Sequence, residues 1–197
     1  MAVPVRAFSG ALSRLSGVLD EPQREQLMRA MATRVVEAAG RLPVWVVSDD
    51  DEVCKWAVGL GVKVISCGEP GLSAAAQRAV VELANFDVVA VVHADLAIVD
   101  TLDGVVETVG KGRCVIVPDY RDDGSNIVCV PTGVGFRFQY GPGSFERHIA
   151  EAERLGLEVA VVREEKLMFD LDTPDDLALL SRDQQRALRL GPVGLGS

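Results

Sequence analysis

An α/β fold, with a mostly parallel sheet flanked by helices in a single domain, is what the sequence predicts, on two observations. Short runs rich in Val and Ile recur along the chain, and segments of helical character separate them. Most of these runs are continuously apolar, the pattern of strands covered on both faces by helices. Helix and strand alternate from Val44 through Val117.

The strand-like runs are Val3–Arg6, Val44–Ser48, Val62–Ser66, Asp87–His93, Cys114–Pro118, Ile127–Pro131 and Val159–Arg163. The clearest helix starts after Asp20, a capping residue followed by Glu21 and Pro22. Its apolar positions Leu27, Met31, Val35 and Ala38 share one stripe before Gly40 ends it. Further helices start at Ser73, near Thr101 and near Ser144, the last running to a terminal Gly156. No internal repeat or low-complexity linker divides the chain. One domain over 1–190 is expected, with a Gly- and Pro-rich flexible tail over 191–197.

Twenty Lys and Arg against 29 Asp and Glu give a formal charge of −9, which argues against binding nucleic acid or a membrane surface. Cys54, Cys67, Cys114 and Cys129 have no metal-ligand spacing and read as reduced core thiols. The N-terminus has no signal-peptide pattern, and no apolar run approaches the roughly 18–20 residues of a membrane span. A cytoplasmic protein is expected, and the sequence leaves a homodimer open.

In sheets of this kind ligands gather beyond the carboxyl ends of the strands. Two such ends carry acids. "DVVAVVHADL" runs a buried strand into Asp95, which serves either as a turn residue or as a metal ligand. In "LMFDLDTPDDL", read as an extended strand end, Asp170 and Asp172 point to the same side. Three acids meeting at one edge would repel one another unless a cation neutralised them, and Mg²⁺ is held by a few carboxylates plus substrate phosphates. Asp172 caps the following helix, ligates, or does both; Asp170 has no capping role. Asp175 and Asp176 read as first-turn acids outside the site.

"GPGS" at 141–144 brings backbone amides to a helix start, which suits a carboxylate or phosphate; alternatively Ser144 only caps. His148 lies one turn on and either reaches an anionic ligand or is structural, an ambiguity His93 shares. Arg6 and Arg14 flank the loop after the first strand and could fork onto phosphate oxygens, although no P-loop spacing is present.

The blocks "VPVR", "ALSRL", "VVSDDDEV", "GLSAAAQRAV", "HADL", "DDGSNIVCV", "FQYGPGSFERHIAEAERLGL" and "FDLDTPDDL" occur in the order found in the CofC/FbiD family, which the chain resembles over nearly its whole length. That family comprises guanylyltransferases of coenzyme F420 biosynthesis that act on phosphoenolpyruvate or 2-phospho-L-lactate. The resemblance implies a Rossmann-like nucleotidyltransferase fold, related to the molybdenum-cofactor guanylyltransferases. It implies Mg²⁺ on Asp95, Asp170 and Asp172, and main-chain capture of the acid's carboxylate at Ser125, Gly141 and Ser144. It places GTP near Arg6 and Arg14 and against the helix start at Ser73. Leu12, Ser73 and Ala97 stand where the family usually has Lys, Asn and Pro. Other readings are the same fold acting on another phosphorylated acid, such as 3-phosphoglycerate, and a degenerate, non-catalytic homologue that binds the phospho-acid alone.

Overall fold

The computed structural model describes residues 1–110 and 112–190; the tail expected over 191–197 lies outside them. All seven strand-like runs form strands: β1 (Ala2–Pro4), β2 (Trp45–Val47), β3 (Lys63–Ile65), β4 (Val88–Val92), β5 (Arg113–Pro118), β6 (Ser125–Pro131) and β7 (Glu158–Val161). They join one sheet in the order β3-β2-β1-β4-β6-β5-β7. β6 runs antiparallel to both β4 and β5, while the other pairings are parallel. This reversal positions the site. In β6 the first residues, not the last, lie beside the carboxyl ends of β4 and β5: Ile127 pairs with Val92, and Ser125 with Pro118.

Helices α1 (Glu21–Ala38), α2 (Asp51–Gly59) and α4 (Asp103–Thr108) cover one face of the sheet, where Val35, Val53 and Val105 pack against Val3, Val46 and Val115. Helices α3 (Leu72–Glu82) and α5 (Ser144–Arg154) cover the other, with Ala76, Ala79 and Phe145 against Val89, Val91 and Ile116. Asp20 caps α1 in a reciprocal box with Gln23, and the stripe Leu27, Met31, Val35, Ala38 is buried as its spacing predicts. A third apolar cluster joins Leu15, Leu27 and Met31 to Leu171, Leu177 and Leu188, tying the chain end to the loop after β1.

Two local expectations are corrected. "LMFDLD" is not a strand end: α6 (Glu165–Met168) buries Leu167, and Asp170 makes a single antiparallel bridge to Leu96. The apolar run is too short to enter the sheet, and α6 uses it to cover β5 and β6. Helix α5 is capped by Gly143, whose left-handed backbone (φ 71°) suits glycine, and Ser144 is its first helical residue. Helices α7 (Pro174–Leu179) and α8 (Arg182–Ala187) close the described chain, and no helix among the described residues is long and apolar enough to cross a membrane.

The turn from β5 to β6 is organised by Asp119. Its carboxylate accepts the amides of Arg121, Asp123 and Gly124 at 2.9, 3.0 and 2.8 Å. A Cβ added at Gly124 would stand 2.8 Å from Asp119 Oδ2. The carboxylate can retreat only by giving up those bonds, so Gly124→Ala is expected to cost about 2 kcal/mol. Urea denaturation of the variant checks this, and a midpoint equal to that of the unmodified chain would show that the turn yields freely.

Candidate active site

Strand β4 delivers His93, Ala94 and Asp95 to the carboxyl edge of the sheet, and the chain after α6 returns to the same place. The bridge between Leu96 and Asp170 and the Leu171 amide on the Asp95 carbonyl, at 3.1 Å, fix the two segments together. Asp95 and Asp170 are thus brought side by side from positions 75 residues apart in sequence (170 − 95). Each keeps one oxygen, Oδ1, buried without a hydrogen-bond partner. Burial, then the charge of Asp172, pushes the Asp95 carboxyl up to about 7. Burial, then the charge of Asp95, pushes Asp170 up to about 6. Both shifts record burial first and a neighbouring carboxylate second.

Asp172 stands on the same edge but turns outward, where its Oδ2 accepts from Arg14 Nη1 at 3.1 Å. Among the described residues, no group of three or more His, Cys, Asp or Glu side chains stands together in metal-ligand geometry. Two half-buried carboxylates, each with one buried oxygen left partnerless, nevertheless fit a hard divalent cation, which takes one or two carboxylates and completes its shell with water and phosphate oxygens. His93 sits between Asp95 and Tyr140, its Nδ1 3.9 Å from Asp95 Oδ1 and its ring 5.2 Å from that of Tyr140. Its Nε2 is buried without a partner, and burial lowers its pKa and keeps it neutral.

Asp95 and His93 line one wall of a cleft of ≈ 540 Å³ whose other wall is the loop Arg6–Ala11. A second cleft of ≈ 440 Å³ continues past Arg6 and Leu72 to Ser48, Asp49 and Gly71. Arg6 borders both. Arg14 lies on the far side of the β1 loop with its charge engaged by Asp172. Ser73 does not face an open cleft by its hydroxyl: Oγ accepts the Tyr140 amide at 2.9 Å and joins the start of α3 to the loop before α5.

That loop differs from its sequence reading. The turn at 141–144 was expected to offer unpaired amides, yet Gly143 N donates to Asp123 Oδ1 at 2.9 Å and Ser144 N to the Gly141 carbonyl at 2.9 Å. Asp123 holds the place an incoming carboxylate would take at the N-terminus of α5. Arg147 fastens the turn from behind, donating to the carbonyls of Gln139, Gly141 and Pro142. His148 is buried, with Nε2 accepting the Gln139 amide and Nδ1 3.0 Å from Ser125 Oγ. The Gln139 amide fixes the tautomer, so Nδ1–H donates to Ser125. Burial, then the charge of Arg147, holds the imidazole down at about 4, neutral at pH 7. Of the two roles the sequence left open, His148 takes the structural one: both ring nitrogens are spent positioning Ser125 and Gln139.

Sequence reasoning set Asp176 aside, and the structure buries it completely beneath the acidic loop, with Asp172 N donating to its Oδ2 at 3.1 Å. Asp123 was missed as well. Its proximity to "GPGS" has no sequence signal beyond the short β5–β6 turn.

The family described as "Guanylyl transferase CofC like" matches residues 1–183. The chain belongs to this family. It is 37% identical over 188 residues to the phosphoenolpyruvate guanylyltransferase of Rubrobacter xylanophilus, covering 90% of this chain and 91% of that protein. It is 32% identical over 181 residues to the 2-phospho-L-lactate guanylyltransferase of Methanothermobacter thermautotrophicus, covering 89% and 80%. It is also 31% identical over 190 residues to the 3-phospho-D-glycerate guanylyltransferase of Phenylobacterium zucineum, covering 90% and 87%. Among solved structures, a Methanothermobacter nucleotidyl transferase superposes with a TM-score of 0.66 at 20% identity, covering 96% of this chain and 98% of that one. The fold is thus that of nucleotidyltransferases, as the sequence resemblance implied.

The orphaned carboxylates carry a pH signature. A carboxyl raised to about 7 in the folded chain binds a proton there at pH values where the unfolded chain has lost it. The metal-free protein should therefore lose stability as pH rises from about 4 through 7. Asp95→Asn removes that liability and is expected to raise the metal-free melting temperature at pH 8 by roughly 5 °C, with the gain fading towards pH 4. A gain independent of pH, measured by calorimetry in chelator, would refute the assignment.

Proposed function

We propose that this chain transfers GMP from GTP to the phosphate of phosphoenolpyruvate or 2-phospho-L-lactate, releasing pyrophosphate, as a step of coenzyme F420 biosynthesis. The observation that carries this reading is the pairing of the Asp95 and Asp170 carboxylates, each with one buried oxygen left partnerless, where Asp95 lines the cleft bordered by Arg6. The family membership and the names of the relatives supply the substrates. A substrate phosphate oxygen attacks the α-phosphorus of GTP, and the bond to the pyrophosphate oxygen breaks. The nucleophile is already an anion, so no side chain needs to remove a proton.

The barrier lies in bringing two polyanions together and in the charge that develops on the α-phosphoryl group. Mg²⁺ bound by Asp95 and Asp170, with Asp172 as a third ligand, would supply charge neutralisation for both partners. Arg6 binds triphosphate oxygens at the junction of the two clefts, and the second cleft, beside Ser48 and Gly71, receives the base. Arg14 pairs with Asp172 in the free chain and is placed to exchange that carboxylate for a phosphate. The acid's carboxylate takes the amides around Gly141–Ser144 by displacing Asp123, while Ser125 is buried and held by His148. Ser73 holds the two substrate regions in register through Tyr140.

The relative named for 3-phospho-D-glycerate supports one second reading, in which the same site takes that acid. Pyrophosphate release with GTP and each of the three acids, in Mg²⁺, separates the two. Asp170→Asn is expected to lower kcat by about 100-fold or more with the melting temperature maintained or raised. Undiminished turnover in that variant would remove the carboxylate from the mechanism.

A further inference from the structure

We infer that Asp176 is a positioning residue that sets the backbone of the acidic loop 170–172, and with it the affinity of the site for a divalent cation. This deepens the proposed function and rests on its assignment of the acidic pair. An acid at the third position of a helix ordinarily closes a capping box and faces water. Asp176 does close one with Thr173, whose amide and Oγ1 both donate to its Oδ2 at 2.8 Å. It then exceeds that role. Its side chain is 0% exposed, and Oδ2 also accepts the Asp172 amide at 3.1 Å.

The other oxygen, Oδ1, is held from a distant part of the chain. Tyr120 Oη and Arg121 Nη2, the latter at 3.1 Å, both donate to it from the β5–β6 turn. The guanidinium of Arg121 lies 4.1 Å from the centre of the Tyr120 ring, and that ring stacks on Phe169, just before the first acid of the loop. The loop is therefore clamped at three points. Phe169 is covered by Tyr120, Leu171 N is bound to the Asp95 carbonyl, and Asp172 N is bound to Asp176. A helix cap alone needs none of the contacts to Tyr120 and Arg121. Burial opposes the charge on Asp176, and the hydrogen bonds from Tyr120 and Thr173 overcome it, so the anion is retained.

Positioning and through-space charge predict opposite signs at Arg121. Removing a cation beside an acidic site should strengthen cation binding if charge alone matters. It should weaken binding if Arg121 acts by holding Asp176. Mn²⁺ affinity of the metal-free full-length chain, read by electron paramagnetic resonance without nucleotide, measures this directly. Asp176→Asn is expected to weaken Mn²⁺ binding by roughly 10-fold or more, and Arg121→Gln by about 3-fold. Turnover of Asp176→Asn should recover in part at high Mg²⁺, which a merely destabilised chain would not show.

Mn²⁺ bound by Arg121→Gln as tightly as by the unmodified chain, or more tightly, would overturn the proposal. So would an unaltered affinity in Asp176→Asn. A wild-type chain that binds Mn²⁺ but transfers no guanylyl group, with both variants weakened, would remove the proposed reaction and uphold the positioning role.

Discussion

Two like charges held together without a counter-charge are the constraint on which this structure turns. Asp95 and Asp170 could relieve their repulsion by rotating into solvent, but their backbones are tied to one another through the Leu96 bridge and the Leu171 amide. Proteins ordinarily pair buried charges or keep them out. Leaving two carboxylate oxygens partnerless at the end of a well-packed strand is destabilising, and the packing of β4 between β1 and β6 maintains it. Under the proposed reaction, a bound cation would relieve that repulsion. The cleft beside Arg6 opens onto Asp95.

The reversed strand β6 makes a single centre out of what would otherwise be two distant regions. Were β6 parallel to its neighbours, Ser125 and Asn126 would lie at the amino edge of the sheet, far from Asp95. Running the other way, β6 starts where β4 ends: the His93 amide donates to the Asn126 carbonyl, and Asn126 Nδ2 reaches the Leu167 carbonyl of α6. The loop before α5 is then held against the same edge through Ser125, His148 and Gln139. Ser73 connects it onward to α3 and the second cleft. Under the proposed reaction, these hydrogen bonds between backbone and fixed side chains couple the two substrate regions and lose little entropy when ligands arrive.

What was legible in the sequence follows from what is local. Continuous Val and Ile runs announced every strand, because burial on both faces leaves no polar alternation to confuse the reading. The Asp20 cap and the stripe of α1 were equally local. The direction of β6 was not read, although its signal was present: only residues 119–124 separate β5 from β6, too few for a parallel crossover. Asp95 was legible by its position just past β4, whereas Asp170 was reached through a strand end that the structure replaces with a single bridge to Leu96. The environment of His148 was not, since a neutral imidazole locked between Ser125 and Gln139 is specified by residues that meet only in the fold. Asp176 looked like an ordinary first-turn acid because Tyr120 and Arg121, which distinguish it, lie more than 50 residues away, at |i−j| of 56 and 55.

The pair Arg14 and Asp172 bears on how a site so rich in charge can load a polyanion. Both side chains are partly exposed, at 71% and 39%, and an exposed pair contributes at most about 1 kcal/mol, so it is exchanged easily. Under the proposed reaction each partner meets a stronger one: Arg14 a phosphate, and Asp172 the neighbourhood of a cation. Neither is left uncompensated before binding or after it. The segment carrying Arg14 is held open by other means. Leu12 adopts a left-handed backbone (φ 51°), and Arg24 donates to the carbonyls of Ala11 and Leu19 on either side of the short helical turn Ser13–Leu15. A leucine in that conformation is strained, and strain there is supported by the packing of Leu15 in the third apolar cluster. The loop over the cleft is thus shaped by the scaffold, and the exchangeable ion pair governs only the charge it presents.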